Sequence, residues 1–298
     1  MDLRRRLAEV FEIDRHPLTL EGRDELAARG YRLERLTFRN GRGEAVRGLL
    51  SGPEGDGEAG PALLYIHAHG NRHEIGADEL VEGRPALQTP LAPVFAAAGY
   101  RVLAIDLPCF GTRSAVSETA ASKAALWQGR TLAGQMLGEL SSALGWLAQQ
   151  RDVDAARIGV FGISMGATLG YWLASVDPRI AAIAHLCCFA DFAAMIETGA
   201  HDLHGPYLTV PGLLTFASNG AIAGLVAPRP QLICIGDLDP LTPPNAVDRA
   251  YAEAAAAYAE TPQNLILHRE AEAGHRETAA MRDRMLAFFE HAFSQGRV

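Results

Sequence analysis

Residues 158–174 read IGVFGISMGATLGYWLA, and this stretch gives the strongest indication of the fold. Its first part, 158–161, is a short continuous apolar run, which is typical of a strand covered on both faces. Its last part, 167–174, predicts a helix. Between them stands Ser164, with a glycine two residues before it and another two residues after it. Because such glycines let strand and helix pass close together, the stretch predicts a sharp strand-turn-helix unit with the serine at its tip.

Short apolar runs and segments with helical spacing continue on both sides of this strand-turn-helix unit. Further apolar runs predict strands at 62–66, 102–105, 180–186, 232–235 and 265–267. Apolar positions at helical spacing predict helices at 132–147, 247–258 and 281–292. Alternating strands and helices predict an α/β fold with a mostly parallel sheet and helices on both faces.

Two segments of the chain do not follow this alternation of strands and helices. Residues 1–60 predict a short helix at 2–12, then a hairpin of 31–38 and 46–50, then an exposed loop at 52–60. Residues 189–226 form a long, aromatic-rich connection before the strand at 232–235. Such a connection predicts a lid or pocket wall, or a helix that completes the core. No linker divides the chain, so we predict a single domain over 1–298.

The composition excludes several classes of protein. With 48% hydrophobic and 21% charged residues, the chain is neither disordered nor collagen-like nor a coiled coil. The net charge of −8 argues against a nucleic-acid partner, because nonspecific nucleic-acid binding requires a basic surface. No apolar run is long enough to span a membrane, and no secretory signal is visible. Four cysteines in or near apolar segments predict buried free thiols and a cytoplasmic protein. The oligomeric state is not predicted.

Ser164 is the candidate nucleophile, and a serine hydroxyl needs a base and a group that orients the base. On a strand-turn-helix unit of this kind, the chain order is serine, acid, histidine. Asp237 and Asp239 both follow the strand at 232–235, and Asp239 is preferred because it stands farther into the loop. His275 follows the last predicted strand and is the candidate base, whereas His268 lies on that strand and fits less well.

The loop after the strand at 62–66 reads His67-Ala68-His69-Gly70-Asn71. Acyl transfer passes through an oxyanion that two backbone N–H groups can stabilise. We predict that these groups belong to Met165, the residue after the nucleophile, and to Asn71. His67 and His69 are expected to bind the loop backbone and fix this turn.

Three histidines, His67, His69 and His73, also suggest a metal site. The usual metallohydrolase pattern adds an aspartate close by, and here Glu74 is the only nearby carboxylate in the sequence. We therefore predict no metal. Candidate substrate contacts lie in this loop, in the segment 114–129 and in the long connection, and they are His69, Arg72, Trp127, His204 and Tyr207.

Together these motifs resemble the α/β-hydrolase superfamily, and more closely the bacterial serine esterases grouped with dienelactone hydrolase and the acetyl xylan esterases. The motifs that carry the resemblance are His67-Ala68-His69-Gly70, Asp106 with Gly111, Gly162-Ile163-Ser164-Met165-Gly166, Ala227-Pro228-Arg229-Pro230, Gly236-Asp237-Leu238-Asp239 with Thr242-Pro243, and Gly274-His275.

The resemblance implies an eight-stranded, mostly parallel sheet and a triad of Ser164, Asp239 and His275. It also implies hydrolysis of carboxylic esters without a cofactor, and it favours Asp239 over Asp237. Dienelactone hydrolase has a cysteine nucleophile where this chain has serine, so lactone specificity is not implied. We predict a small-molecule substrate, a short-chain or acetyl ester. The alternatives are an amide or peptide hydrolase, a metal-dependent hydrolase and a non-catalytic protein on the same scaffold.

Overall fold

The computed structural model describes residues 2–55 and 58–294. The strands are β1 (Leu18–Leu26), β2 (Arg32–Asn40), β3 (Ala45–Gly52), β4 (Gly60–Ile66), β5 (Arg101–Ile105), β6 (Val153–Ile163), β7 (Ala182–Leu186), β8 (Gln231–Gly236) and β9 (Leu265–Glu270). The helices are α1 (Leu3–Val10), α2 (Glu79–Glu82), α3 (Ala92–Ala97), α4 (Glu118–Trp127), α5 (Leu132–Leu147), α6 (Met165–Val176), α7 (Phe192–Thr198), α8 (Asn219–Gly224), α9 (Pro244–Ala257) and α10 (Ala279–Ser294).

All of these strands belong to one sheet, in the order β1-β2-β3-β5-β4-β6-β7-β8-β9. The first three strands pair antiparallel with one another, and β3 pairs antiparallel with β5. From β5 to β9 every pairing is parallel. The predicted α/β class and the mostly parallel sheet are confirmed, but the expected count of eight strands is wrong.

The extra strand is β1, which reads LTLEGRDEL and pairs with β2 as an edge strand. An edge strand does not need a continuous apolar face, and charged side chains there discourage pairing with other molecules. Ion pairs bind β1 to β2 instead, for example Arg23 with Glu34 at 2.7 Å and Arg39 with Glu21 at 2.5 Å. Because these charges mask the strand pattern, the sequence predicted only the hairpin of β2 and β3.

The core lies on both faces of the sheet. Leu63 and Leu64, neighbours on β4, belong to opposite apolar layers. The Leu64 layer contains α1, α5, α6 and α9, and the Leu63 layer contains α2, α3 and α10. The prediction of helices on both faces is therefore confirmed. Among the described residues, no helix is both long enough and apolar enough to cross a membrane.

The segment 189–226 folds as α7, several short 3₁₀ turns and α8. It is not a detached flap, because Phe189, Tyr207 and Leu213 are buried and belong to the apolar layer that contains α6. The segment therefore completes part of the core, and it also presents side chains toward the carboxyl ends of the strands. The four cysteines are buried and free, as the sequence predicted.

Candidate active site

Ser164 stands at the turn between β6 and α6 with φ 59° and ψ −119°, a conformation that non-glycine residues rarely adopt. The flanking glycines make this turn possible. A Cβ on Gly162 would lie 2.2 Å from the Gly166 carbonyl oxygen, and a Cβ on Gly166 would lie 1.9 Å from the Ile66 carbonyl oxygen. The close passage predicted from the sequence is therefore confirmed, and it requires glycine at both positions.

Ser164, His275 and Asp239 form one hydrogen-bonded chain. The Ser164 Oγ lies 2.9 Å from Nε2 of His275, and Nδ1 of His275 lies 2.6 Å from Oδ2 of Asp239. A carboxylate only accepts hydrogen bonds, so Nδ1 carries the proton and Nε2 is free to accept from the serine hydroxyl. This is the arrangement in which an imidazole can remove the serine proton.

The two candidate acids in the loop after β8 have different environments. The Asp239 side chain is fully buried, and its second oxygen accepts from the Leu241 N–H at 2.9 Å. Asp237 binds Arg269 instead, at 2.7 Å and 2.9 Å. His268 pairs with Glu270 at 2.9 Å. The geometry thus selects Asp239 and His275 as the partners of the serine.

The carboxyl ends of neighbouring strands carry further strained residues. Asn71, Cys109 and Cys187 follow β4, β5 and β7, and each has a positive φ, of 52°, 73° and 58°. Such conformations persist where the surroundings fix them, and they concentrate at functional sites. The sheet edge that carries Ser164 therefore has unusual backbone conformations at the ends of several strands.

Two buried charges anchor the loop that follows β4. The Ala68 N–H donates to both carboxylate oxygens of Glu79, at 3.0 Å and 3.2 Å, and Arg84 donates to the Ala68 carbonyl oxygen at 3.1 Å. Glu79 and Arg84 also form a buried ion pair. His67 binds backbone too, accepting from the Leu107 N–H at 3.3 Å and donating to the Ala68 carbonyl oxygen at 3.0 Å. Burial lowers the pKa of His67 to about 4, so its ring is neutral.

Of the two predicted oxyanion donors, Met165 is the first residue of α6, where a helix leaves its N–H groups without an intrahelical partner. The Asn71 N–H is engaged, since it donates to Nδ1 of His69 at 3.1 Å. Donation from Asn71 to an oxyanion therefore requires that this bond be shared or exchanged.

His69, His73 and Glu118 bring one ligand atom each to within 4.8 Å of one another and could hold a metal ion. This group differs from the three histidines that the sequence suggested, because both nitrogens of His67 bind backbone. Glu118 comes from α4, 49 residues after His69. Nδ1 of His69 accepts from Asn71, so its proton is on Nε2 and is donated to Glu118 at 2.5 Å. A metal ion would have to displace that proton.

The remaining candidate contacts lie in different places. Tyr207 is buried and stacks on His69 with ring centroids 5.6 Å apart. Nε2 of His204 lies 2.9 Å from the Leu241 carbonyl oxygen, in the loop of Asp239. Arg72 is exposed and pairs with Glu74. Trp127 ends α4 with 89% of its surface exposed, so it does not line a closed pocket.

Two acidic residues organise this region. Asp106 belongs to the motifs of the resemblance but had no role predicted from the sequence, and Glu118 was missed. Asp106 is buried after β5, where it accepts from Arg47 and from the backbone N–H groups of Ala77 and Thr112. Glu118 was missed because an acidic residue at the first position of a helix has an ordinary explanation in the helix dipole. Nothing in the local sequence indicates that its partner is His69.

The sequence model of the X-Pro dipeptidyl-peptidase (S15 family) matches residues 51–258, more than two thirds of the chain. The chain belongs to the S15 family. "Putative hydrolase YtaP" of Bacillus subtilis (strain 168) is 37% identical over 232 residues, which cover 77% of this chain and 78% of that protein. This S15 family member is accordingly a hydrolase of the serine esterase or peptidase type.

Solved structures share the fold. Acetyl xylan esterase 1 from Thermoanaerobacterium sp. JW/SL YS485 superposes with a TM-score of 0.65 at 18% identity, covering 97% of this chain and 92% of that one. A glucuronoyl esterase from Solibacter usitatus gives a TM-score of 0.70 at 14% identity, with the same coverage of 97% and 92%. At these identities the likeness establishes the α/β-hydrolase fold.

Proposed function

We propose that this S15 family member hydrolyses carboxylic esters of small acyl groups, short-chain or acetyl esters, through an acyl-enzyme on Ser164. The observation that carries the proposal is the hydrogen-bonded chain from Ser164 through His275 to the buried Asp239. The esterase names of the structural neighbours support the ester as substrate class.

In the proposed reaction, Nε2 of His275 takes the proton of the Ser164 hydroxyl while Oγ attacks the ester carbonyl carbon. Asp239 stabilises the imidazolium that forms. The N–H groups of Met165 and Asn71 bind the oxyanion of the tetrahedral intermediate. His275 then gives its proton to the leaving alcohol, and a water activated by the same histidine attacks the acyl carbonyl and releases the acid.

A cleft of about 500 Å³ offers room for the substrate. Mostly apolar side chains of the segment 189–226 line it, among them Phe192, Met195, Leu208 and Leu213. His204 lines the same cleft and binds the Leu241 carbonyl oxygen, so the cleft reaches the loop that carries Asp239. An uncharged, mainly apolar group of the substrate suits this lining better than a charged one.

The family description favours a second candidate, cleavage of a peptide bond after an X-Pro dipeptide. Esters and amides react through the same tetrahedral intermediate, so the three catalytic groups do not distinguish them. Rates on an ester and an amide with the same acyl group, together with an X-Pro anilide, separate the two candidates. We expect the ester to react faster than the matched amide by more than the difference in their uncatalysed rates.

The direct test replaces the nucleophile. Ser164→Ala is expected to lower kcat on a short-chain ester by at least about a thousandfold, because the covalent step is lost. Ser294→Ala, an exposed serine at the end of α10, is the matched control and is expected to keep full activity. Circular dichroism and the melting temperature establish that both variants fold. Turnover near that of the wild type by Ser164→Ala would refute the proposal.

A further inference from the structure

The Glu118 carboxylate lies in the interior at the start of α4, and both of its oxygens accept hydrogen bonds. Oε1 accepts from the Tyr207 backbone N–H at 2.8 Å, and Oε2 accepts from Nε2 of His69 at 2.5 Å. Only 6% of the side chain is exposed. One carboxylate therefore joins three segments that are far apart in the sequence, namely the loop after β4, α4 and the segment 189–226.

This carboxylate fixes the tautomer of His69. Because it accepts and cannot donate, Nε2 of His69 must carry the proton. Nδ1 is then unprotonated and accepts from the Asn71 N–H at 3.1 Å. The other tautomer would set Nδ1–H against the Asn71 N–H and a lone pair against the carboxylate, so both contacts would become repulsive.

Packing holds the His69 ring in this orientation. The ring stacks on Tyr207 at 5.6 Å and meets Phe110 edge-on at 5.2 Å. The His73 ring meets it edge-on at 4.9 Å, and Gly205 also packs close, since a Cβ there would lie 2.6 Å from Oε1 of Glu118 and 2.9 Å from Nε2 of His69. The ring has little freedom to turn away from the Asn71 amide.

The loop that His69 controls lies against the helix that begins after Ser164. A Cβ on Gly166 would lie 1.9 Å from the Ile66 carbonyl oxygen and 3.0 Å from the His67 carbonyl oxygen. The end of β4 and the first turn of α6 are thus in direct contact. The backbone that leads into the loop of Asn71 therefore touches the helix turn that follows Ser164.

We propose that Glu118 and His69 are positioning residues that hold the Asn71 N–H in place for the oxyanion. This inference rests on the proposed function. In the resting protein Nδ1 of His69 is a neutral acceptor that keeps the amide oriented. Hydrogen bonds to an ionised acceptor are stronger than those to a neutral one, so an oxyanion takes over the N–H only as its charge develops. This change of acceptor, from Nδ1 of His69 to the oxyanion, stabilises the transition state and not the bound ester. Stabilisation of the transition state alone is the condition for a higher kcat.

The ionisation of Glu118 agrees with this role. Burial alone would raise the pKa of Glu118, but the hydrogen bonds from His69 and from the Tyr207 N–H bring the pKa below its ordinary value. The side chain is a carboxylate at neutral pH and so acts only as an acceptor.

Kinetics of three variants test the inference. Glu118→Ala and His69→Ala are each expected to lower kcat on a short-chain ester between about tenfold and a hundredfold, somewhat less than complete loss of an oxyanion donor costs. KM should change little, and the double variant should lose no more than the worse single variant, because the two residues act as one unit. Glu118→Gln keeps the shape of the side chain but offers one acceptor oxygen to two donors. Its kcat should lie between that of Glu118→Ala and that of the wild type.

Lys123→Ala is the matched control. Lys123 lies on α4, as Glu118 does, but its side chain is exposed. We expect its kcat to stay within about threefold of the wild type, because surface substitutions of this kind have small effects. A wild-type kcat that a chelator abolishes and added zinc restores would show a metal site at His69, His73 and Glu118 and overturn the inference.

Two further readouts do not depend on the ester. The ¹⁵N NMR spectrum of histidine-labelled protein should show His69 protonated at Nε2 in the wild type and a mixture of tautomers in Glu118→Ala. The rate at which a fluorophosphonate labels Ser164 should fall in Glu118→Ala along with kcat, because the phosphonyl oxygen uses the same donors. A folded Glu118→Ala variant with wild-type kcat and labelling rate, or with a raised KM alone, would overturn the inference. A wild-type protein that labels normally but cleaves no ester would contradict the proposed function only.

Discussion

Asp237 and Asp239 stand two residues apart, but their side chains bind different partners and are expected to differ in their effect on catalysis. Asp239 is fully buried against His275, whereas Asp237 is partly exposed and pairs with Arg269. Composition and position allow both as the acid of a catalytic triad. The choice between them is made by tertiary structure, because Arg269 lies on β9 and His275 lies in the loop that follows it.

Asparagine substitutions at the two positions should therefore differ sharply. Asp239→Asn is expected to lower kcat by about ten-thousandfold, because an amide donating to Nδ1 stabilises the wrong imidazole tautomer. Asp237→Asn removes a partly exposed ion pair worth about 1 kcal/mol or less and should leave kcat within a few-fold of the wild type. Steady-state kinetics and melting temperatures of the two variants make the comparison. Equal losses of kcat would contradict the assignment of the acid.

At the scale of elements, the N-terminal segment is tied to the rest of the chain by one buried carboxylate. Glu12, just after α1, accepts from His16 at 2.8 Å, from Arg130 at 2.5 Å and 2.9 Å, and from the Thr131 N–H at 3.3 Å. Thr131 caps α5, so this carboxylate connects α1 to the start of that helix. A sequence pattern shows the two helices but not the charge that joins them.

The Glu12 network predicts a pH-dependent stability. Burial raises its pKa, but the hydrogen bonds from His16 and Arg130 prevail and lower the pKa from 4.5 to about 2. A carboxyl group whose pKa is lower in the folded state than in the unfolded state stabilises the native state at pH values above its unfolded-state pKa. That stabilisation is lost as the pH falls toward the folded-state pKa. This lowering of the pKa corresponds to a contribution of about 3 kcal/mol to the free energy of unfolding at pH 7.

Urea unfolding of Glu12→Gln at several pH values measures this contribution. The variant should be less stable than the wild type by about 3 kcal/mol at pH 7, and the difference should narrow as the pH falls below 4.5. A difference that stays constant from pH 7 to pH 3.5 would show that the ionisation of Glu12 does not stabilise the fold.

At the scale of the whole molecule, one sheet brings the site together. The loop after β4, the nucleophile turn after β6, the acid loop after β8 and the histidine loop after β9 all leave the same edge, as ligand sites in open parallel sheets do. The sequence was sufficient for this arrangement, because continuous apolar runs mark the buried strands and Ser164, Asp239 and His275 follow three of them. It was insufficient where partners are distant in the chain. β1 was missed because charges replace its apolar pattern, and Glu118 was missed because its partner His69 comes from another loop.

Rapid-quench mass spectrometry shows whether Ser164 carries the acyl group during turnover. The protein is mixed with a short-chain ester, quenched in acid within milliseconds and digested. We predict that the peptide with Ser164 gains the mass of the acyl group, and that His275→Ala, which cannot activate the serine, shows no such gain. Ester hydrolysis at the wild-type rate without an acylated Ser164 peptide, or with the acyl group on another residue, would show that Ser164 is not the nucleophile.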